Sequence, residues 1–152
     1  MLSSRGLQTG FLGFDFQSRK ALLWDSGEAR WSATTLPMVS LAVAKTLHQP
    51  AGMKNQFVFV SSVTTSQKEV LSRLEKVMGE KWEVEYTTTD AAVTEGQGKM
   101  AEGDMSGVVP VMLATTFQDG WGADFTEEPQ AASRLDLPEE DLESLVRSVV
   151  VG

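Results

Sequence analysis

The sequence predicts an α/β fold, and a strand, a helix and a second strand between residues 55 and 86 carry that prediction. Residues 56–60 form a β-branched and aromatic run, which is typical of a strand buried on both faces of a parallel sheet. A helical pattern follows, and Trp82, Val84 and Tyr86 then alternate with glutamates, as in a strand with one solvent-exposed face. We therefore expect residues 57–60 and 82–86 to pair in one sheet, with the helix packed on one side of it.

Both ends of this predicted helix have sequence signals. Ser66 and Glu69 have the spacing of a capping box. In that motif the Ser66 hydroxyl accepts a hydrogen bond from the Glu69 amide, and the Glu69 carboxylate accepts one from the Ser66 amide. Gly79 stands where a left-handed cap would end the helix. The helical spacing predicts a single buried face, which consists of Val70, Leu71, Leu74, Val77 and Met78.

Shorter elements are predicted before this unit. Residues 20–24 indicate an apolar strand, residues 25–27 a turn, and residues 28–33 a second extended piece. A helix is predicted over residues 38–48, with Pro37 tolerated in its first turn. Its apolar stripe is expected to consist of Val39, Ala42, Val43, Thr46 and Leu47.

Three further helices are predicted after residue 86. The first, over residues 91–103, is weak because Gly96 and Gly98 each cost about 1 kcal/mol in a helix interior. Residues 105–118 have apolar residues at helical spacing, and Pro110 is close enough to the start of this helix to be accommodated. The last helix begins at Pro138 and has acidic residues in its first turn, as the helix dipole favours.

Composition excludes several classes of protein. The 152 residues are 41% hydrophobic and 22% charged, which suits one globular domain. Cysteine is absent and His48 is the only histidine, so thiolate catalysis and cysteine or histidine metal sites are excluded. A net charge of −8 disfavours nucleic-acid binding. No apolar run approaches the ~20 residues needed to span a bilayer and no signal-peptide core is present, so we expect a cytoplasmic protein without a membrane partner.

No motif in the sequence identifies a catalytic or cofactor-binding residue. Gly6, Gly10 and Gly13 do not have the spacing of a dinucleotide-binding turn and are not followed by a helical pattern. Tyr86 is followed four residues later by Asp90, so the tyrosine and lysine pair of short-chain reductases is absent. The sequence contains neither a P-loop nor a nucleophile elbow, and we assign no catalytic, cofactor-binding or metal-ligating residue.

Three stretches of the chain, residues 55–62, 65–71 and 78–85, carry a resemblance. They look like the C-terminal half of the NmrA-like, isoflavone-reductase-like family of NAD(P)-binding proteins, which are atypical short-chain dehydrogenases/reductases. The resemblance extends from about residue 6 to residue 125. One departure is Pro37, which stands where many relatives carry an acidic residue.

The resemblance implies the C-terminal part of a Rossmann-type NAD(P)-binding fold, with the N-terminal nucleotide-binding half missing. Residues 1–152 would then be a single partial domain. In it, about residues 20–86 would form the end of the nucleotide-binding sheet, and about residues 87–152 a mainly helical substrate lobe.

The resemblance also implies a parent activity, the NAD(P)H-dependent reduction of a small aromatic substrate. The full-length family binds NADP, but its glycine fingerprint and catalytic lysine lie in the N-terminal half. No cofactor and no activity are therefore expected for this chain alone. The implied substrate pocket is walled by Phe11, Phe14, Val109, Met112, Leu113, Phe117 and Trp121.

Two alternatives stay open beside the reductase. The chain could descend from a non-enzymatic regulator and act as an interaction module, with an exposed sheet edge that serves self-association or a protein partner. It could also be a degenerate fragment without a function of its own.

Overall fold

The computed structural model describes residues 10–118, 120 and 123–151 of the chain. Its strands are β1 (Phe14–Asp15), β2 (Lys20–Trp24), β3 (Trp31–Ala33), β4 (Val63–Thr65) and β5 (Glu83–Thr87). Its α-helices are α1 (Leu36–His48), α2 (Pro50–Met53), α3 (Gln67–Met78), α4 (Thr89–Ala101), α5 (Val108–Phe117) and α6 (Leu142–Val151), and a 3-10 turn at Met105–Gly107 precedes α5. The predicted mixed α/β class is confirmed.

The described strands form two small sheets. In the first, β1 pairs antiparallel with β2, and β2 pairs parallel with β5 in a register that places Ala21 beside Val84. In the second, β3 pairs antiparallel with β4. Helix α3 therefore leads from β4 in one sheet to β5 in the other.

Helix α3 forms where the sequence predicts it. The Ser66 hydroxyl accepts a hydrogen bond from the Glu69 amide at 3.3 Å, and Gly79 adopts the left-handed conformation with φ of +72°. The Glu69 carboxylate accepts from the Thr65 hydroxyl at 3.0 Å, one residue before the partner that a capping box would give it. Leu74 is fully buried, so the predicted apolar face is the packed one.

The prediction of a central strand at residues 57–60 is wrong. Phe57 is 89% exposed, and Phe59 makes an isolated bridge to Gln130 instead of joining β5. The first strand after this run is β4, which belongs to the other sheet. An apolar run becomes a buried strand only when neighbouring strands supply hydrogen-bond partners on both edges. Here the described part of the chain supplies an isolated bridge on one edge and a hydrogen bond from the Thr34 side chain on the other.

The predicted burial of α1 is also wrong, although the helix itself is confirmed. Thr35 caps it by accepting from the Met38 amide at 3.2 Å, and Pro37 lies in the first turn. Of the predicted stripe, Ala42 is buried, whereas Val43 is 54% and Leu47 is 73% exposed. The stripe lies exposed because no described element packs over it.

Two smaller predictions need correction. Tyr86 lies in β5 as predicted but is 62% exposed, since β5 is an edge strand of its sheet. The last helix begins at Leu142, about a turn after Pro138, because the Asp141 side chain accepts from the Ser144 amide and so caps the helix there.

The main core joins both sheets to α5 through aromatic side chains. Phe117 is 1% exposed and lies between Trp24 of β2 and Trp31 of β3, with ring centroids 5.9 Å apart in both pairs. A second, smaller cluster beneath α1 consists of Ala42, Met53, Ala131 and Leu135. Within the described ranges, no helix has both the length and the apolar character needed to cross a membrane.

Candidate functional site

The predicted substrate residues on α5 differ in burial. Leu113 and Phe117 are buried and anchor the helix in the core beside Trp24 and Trp31. Met112, about 100° around the helix from Leu113, is 46% exposed, and Val109, one turn before Leu113 on the same side, is 42% exposed. The helix is thus fixed by its buried side chains while Val109 and Met112 are accessible to solvent.

The remaining predicted site residues are also separated. Phe14 is fully buried and contacts Trp82 edge to face at 6.3 Å, whereas Phe11 is 40% exposed. Trp121 lies outside the residues that the structure describes. A cavity shared by these residues and α5 stays a prediction.

The exposed side of α5 is extended by the turn before it. Met105 is 70% exposed and lies four residues before Val109, which in turn lies three residues before Met112. Val108 is exposed beside them. We call these four residues the α5 surface; its composition is that of an apolar ligand site.

Two glycines hold α5 against α4. A Cβ atom added to Gly96 would lie 2.5 Å from the Gly107 carbonyl oxygen and 2.7 Å from a methyl group of Val111. A Cβ atom on Gly107 would in turn meet the backbone of Gly96. The absence of side chains at both positions lets the backbones touch, and this contact fixes where the α5 surface lies.

The carboxyl ends of the parallel strands β2 and β5 are where a nucleotide would be expected in an α/β fold. Asp25 follows β2, and its carboxylate accepts from the amide and the hydroxyl of Thr89, at 3.0 and 2.7 Å. Thr89 is the first residue of α4, so this carboxylate already occupies the helix N-terminus that would receive a phosphate. The described residues therefore do not fit the pyrophosphate of a dinucleotide at this edge.

Among the described residues, every carboxyl group with a shifted pKa has a lowered pKa. The pKa of Glu75 is lowered mainly because the Lys81 ammonium donates to it at 2.6 Å, and the pKa of Glu143 is lowered mainly by Lys76 at 2.7 Å. Such shifts favour the charged form, whereas a carboxylic acid kept for proton donation needs a raised pKa. Among the same residues, no three potential ligands lie together as a metal site.

Sequence reasoning missed two polar residues that organise this region. Gln67 is 1% exposed; its carbonyl oxygen accepts from the Trp24 amide at 2.9 Å, and its amide group donates to the carbonyls of Leu12 and Leu22 at 3.1 and 3.2 Å. Asp25 has φ of +51°, a conformation that aspartate tolerates. The Asp-Ser-Gly turn indicates that tolerance, but neither long-range contact has a local signal.

No protein-family model matches this chain. It is 32% identical over 143 residues, or 93% of its length, to Oxidoreductase aprR of Aspergillus flavus. It is 31% identical over 109 residues, or 72% of its length, to Oxidoreductase poxI of Penicillium oxalicum. The chain is related to proteins named oxidoreductases. It spans 48% of the first protein and 35% of the second, so it covers less than half the length of either relative.

Proposed function

We propose that this chain is part of an NAD(P)H-dependent oxidoreductase of the NmrA-like, isoflavone-reductase-like class and that it supplies a binding surface for a small aromatic substrate. Relatedness to proteins named oxidoreductases supports the redox part of the proposal. The observation that carries the substrate part is the α5 surface, in which exposed Val109 and Met112 stand on a helix anchored by buried Leu113 and Phe117.

The cofactor is not assigned to the residues that the structure describes. The Asp25 carboxylate bonds to Thr89 where a phosphate would have to bind, and its negative charge would repel one. The proposal therefore places NADPH on other residues of the longer, functional protein and gives the described residues no part in hydride or proton transfer. A cytoplasmic location and a substrate lobe over about residues 87–152 belong to the same proposal.

A titration with 1-naphthol, a small planar aromatic, tests the substrate surface through tryptophan fluorescence. Saturable quenching is expected because Trp24 and Trp31 lie on the buried side of the same helix. Met112→Ser should raise the Kd by about three- to tenfold, since it removes about 1 kcal/mol of apolar contact. Val151→Ser is the control, because Val151 is also exposed but lies on α6. Unsaturable quenching, or equal Kd values for both variants, would overturn the assignment of α5.

A separate titration tests the cofactor statement. NADPH added to the chain should give no saturable change in its fluorescence, because the described residues offer no phosphate site at the strand ends. Saturable NADPH binding would show that this chain holds the cofactor itself. That result would leave the α5 surface untouched, so the two parts of the proposal can fail separately.

A second candidate function, a non-enzymatic interaction module, is favoured by one observation. Val39, Val43 and Leu47 form an exposed apolar stripe on α1, away from the α5 surface. An exposed apolar patch of this kind commonly marks a protein interface. Loss of 1-naphthol binding together with a protein contact on α1 would favour this candidate over the reductase.

A further inference from the structure

Exposure to solvent separates the described methionines. Met105 is 70% exposed and Met112 is 46% exposed, and both belong to the α5 surface. Met38 and Met53 are buried, at 3% and 8% exposure. The remaining described methionines are partly buried; they are Met78 and Met100. An oxidant in solution therefore reaches the sulfur atoms of Met105 and Met112 more easily than those of the other four.

The exposure of Met105 belongs to an ordered turn. The Asp104 carboxylate accepts from the amide and the hydroxyl of Ser106, at 2.9 and 2.8 Å. Gly107, which ends the turn, packs against the backbone of Gly96 on α4. These contacts hold the turn on both sides of Met105, and its side chain is left in solvent.

Met112 lies on a helix that does not depend on its side chain. Leu113 and Phe117, at 8% and 1% exposure, anchor α5 in the core. The hydroxyls of Thr115 and Thr116 donate to the Met112 carbonyl oxygen at 2.7 and 3.1 Å, which involves the backbone of Met112 alone. A chemical change at the Met112 sulfur therefore leaves the contacts that position α5 in place.

No thiol competes for an oxidant in this chain. Cysteine is absent from the sequence, so the thioethers of methionine are its only sulfur groups. Oxidation of a thioether to a sulfoxide replaces an apolar side chain by a polar one, and this reaction can be reversed. The two most exposed thioethers both lie on the surface to which a ligand has been assigned above.

We propose that Met105 and Met112 are a paired oxidation site, at which a hydroperoxide converts both thioethers to sulfoxides while the fold is retained. In each reaction a lone pair of the methionine sulfur attacks one peroxide oxygen, the O–O bond breaks and an S–O bond forms. The sulfur is oxidised by two electrons. The second peroxide oxygen leaves and takes the proton of the first, as water from hydrogen peroxide or as an alcohol from an organic hydroperoxide.

Oxidation at this site changes the polarity of the α5 surface. The sulfoxide oxygen accepts hydrogen bonds from water, so an apolar ligand that covers it removes those bonds without replacing them. The affinity of the α5 surface for a small aromatic should therefore fall; this consequence rests on the proposed function. Exposed sulfoxides keep their water, so the fold should be retained, whereas a sulfoxide at Met38 would bury an unpaired polar group.

Mass spectrometry maps the site without any ligand. The full chain is treated with hydrogen peroxide, and tandem mass spectrometry follows the rate at which each methionine gains one oxygen atom. In the folded chain Met105 and Met112 should react about fivefold faster or more than Met38 and Met53, because their sulfur atoms are accessible. In urea above the unfolding midpoint the four rates should become similar. Equal rates in the folded chain, or loss of the thermal unfolding transition once both exposed methionines are oxidised, would overturn the proposal.

The 1-naphthol titration measures the consequence for binding, after the peroxide has been removed by desalting. The Kd of the oxidised chain should be about threefold higher or more than that of the untreated chain. Met105→Leu and Met112→Leu, combined in one variant, supply apolar side chains of similar volume without sulfur, so peroxide should not change the Kd of that variant. Met78→Leu on α3 is the control and should show the same rise as the natural sequence. An equal rise in the double variant would overturn the assignment to these two residues.

A rescue step distinguishes sulfoxide formation from other damage. Methionine sulfoxide reductases for both sulfoxide epimers, with dithiothreitol as the reductant, should restore the original Kd. Dithiothreitol itself cannot alter the chain, which has no disulfide to reduce. A Kd that stays raised although mass spectrometry shows the two sulfoxides reduced would overturn their role in binding.

The oxidation site and the proposed function can fail separately. If the untreated chain does not bind 1-naphthol, the substrate surface is wrong, and the oxidation rates still decide whether Met105 and Met112 are the oxidation site. If the untreated chain binds 1-naphthol and the two sulfoxides leave its Kd unchanged, the substrate surface stands and the effect of oxidation on it is overturned.

Discussion

At the scale of single residues, a buried and an exposed position of α3, Leu74 and Lys76, should respond very differently to truncation. Leu74 is fully buried, so Leu74→Ala should destabilise the chain by about 2–5 kcal/mol through lost contacts and a cavity. Lys76 forms a surface ion pair with Glu143 at 2.7 Å, so Lys76→Ala should cost less than about 1 kcal/mol. Urea unfolding measures both values, and equal midpoints would contradict the assignment of the buried face.

Gln67 allows a test of buried hydrogen bonding. Gln67→Leu keeps most of the volume but leaves the Trp24 amide and the Leu12 and Leu22 carbonyls without this partner. We expect a loss of about 2–4 kcal/mol in the free energy of unfolding, because each buried group left unpaired costs about 1–3 kcal/mol. Gln97→Leu on the exposed face of α4 is the control and should be nearly silent. A small loss for Gln67→Leu would mean that water replaces the side chain.

The residues that could be predicted from the sequence are those whose roles depend on near neighbours in the chain. Ser66 and Gly79 cap α3 as their spacing indicates, since capping involves only residues within one turn. Gln67 and Asp25 act on groups more than 40 residues away. Helical periodicity and turn composition contain no information on such contacts, so both residues were found only in the folded structure.

At the scale of elements, two glycines of α4 should respond oppositely to the same substitution. Nothing lies within 4 Å of a Cβ added to Gly98, so Gly98→Ala should stabilise the chain by about 0.5–1 kcal/mol through helix propensity. Gly96→Ala would press a methyl group against the Gly107 carbonyl and should destabilise it by about 1–3 kcal/mol. Thermal unfolding of the two variants makes the comparison. Stabilisation by both alanines would show that α4 and α5 are not in close backbone contact.

The sequence predicts an element well when a neighbouring element covers its apolar side. Helix α3 and strand β2 agree with their patterns, since described neighbours cover their apolar sides, whereas Tyr86 of β5 is exposed. Residues 57–60 and the α1 stripe have equally clear apolar patterns, yet Phe57, Val43 and Leu47 are exposed and residues 58–60 are only partly buried. A pattern indicates that a surface favours burial, and it does not provide the strand or helix that would bury it.

At the scale of the whole molecule, the residues predicted to wall one pocket differ in burial. Phe14, Leu113 and Phe117 belong to the core that joins the sheets, whereas Val109 and Met112 face solvent. Apolar composition is the same in both groups, so the sequence could not separate structural from binding residues.

Truncation of the two groups should have different effects on stability. Phe117→Ala should cost about 3–5 kcal/mol in the free energy of unfolding, while Met112→Ala should cost much less, and the urea midpoints of the two variants measure this difference. Similar midpoints would place both residues on the surface.

Acid should destabilise the whole molecule, because every carboxyl group with a shifted pKa in the described part of the chain has a lowered pKa. Glu75 is the best placed of them: its side chain is 16% exposed, the Lys81 ammonium donates to it at 2.6 Å, and the Trp82 amide donates at 3.1 Å. A carboxyl group whose folded pKa is below its unfolded pKa stabilises the fold fully above the unfolded value. That contribution is lost as the pH falls through the folded value.

The stability measured by urea unfolding should therefore be nearly constant from pH 7 down to about pH 5 and fall below the ordinary glutamate pKa of 4.5. Glu75→Gln removes the titrating charge, so it should be less stable than the natural sequence at pH 7 and show a shallower fall in acid. Glu127→Gln, at an exposed position, is the matched control and should follow the natural curve. If the curves of Glu75→Gln and the natural sequence stay parallel from pH 7 to pH 3.5, Glu75 is not a source of the acid sensitivity, and the contacts of Lys81 and Trp82 with its carboxylate do not persist in solution.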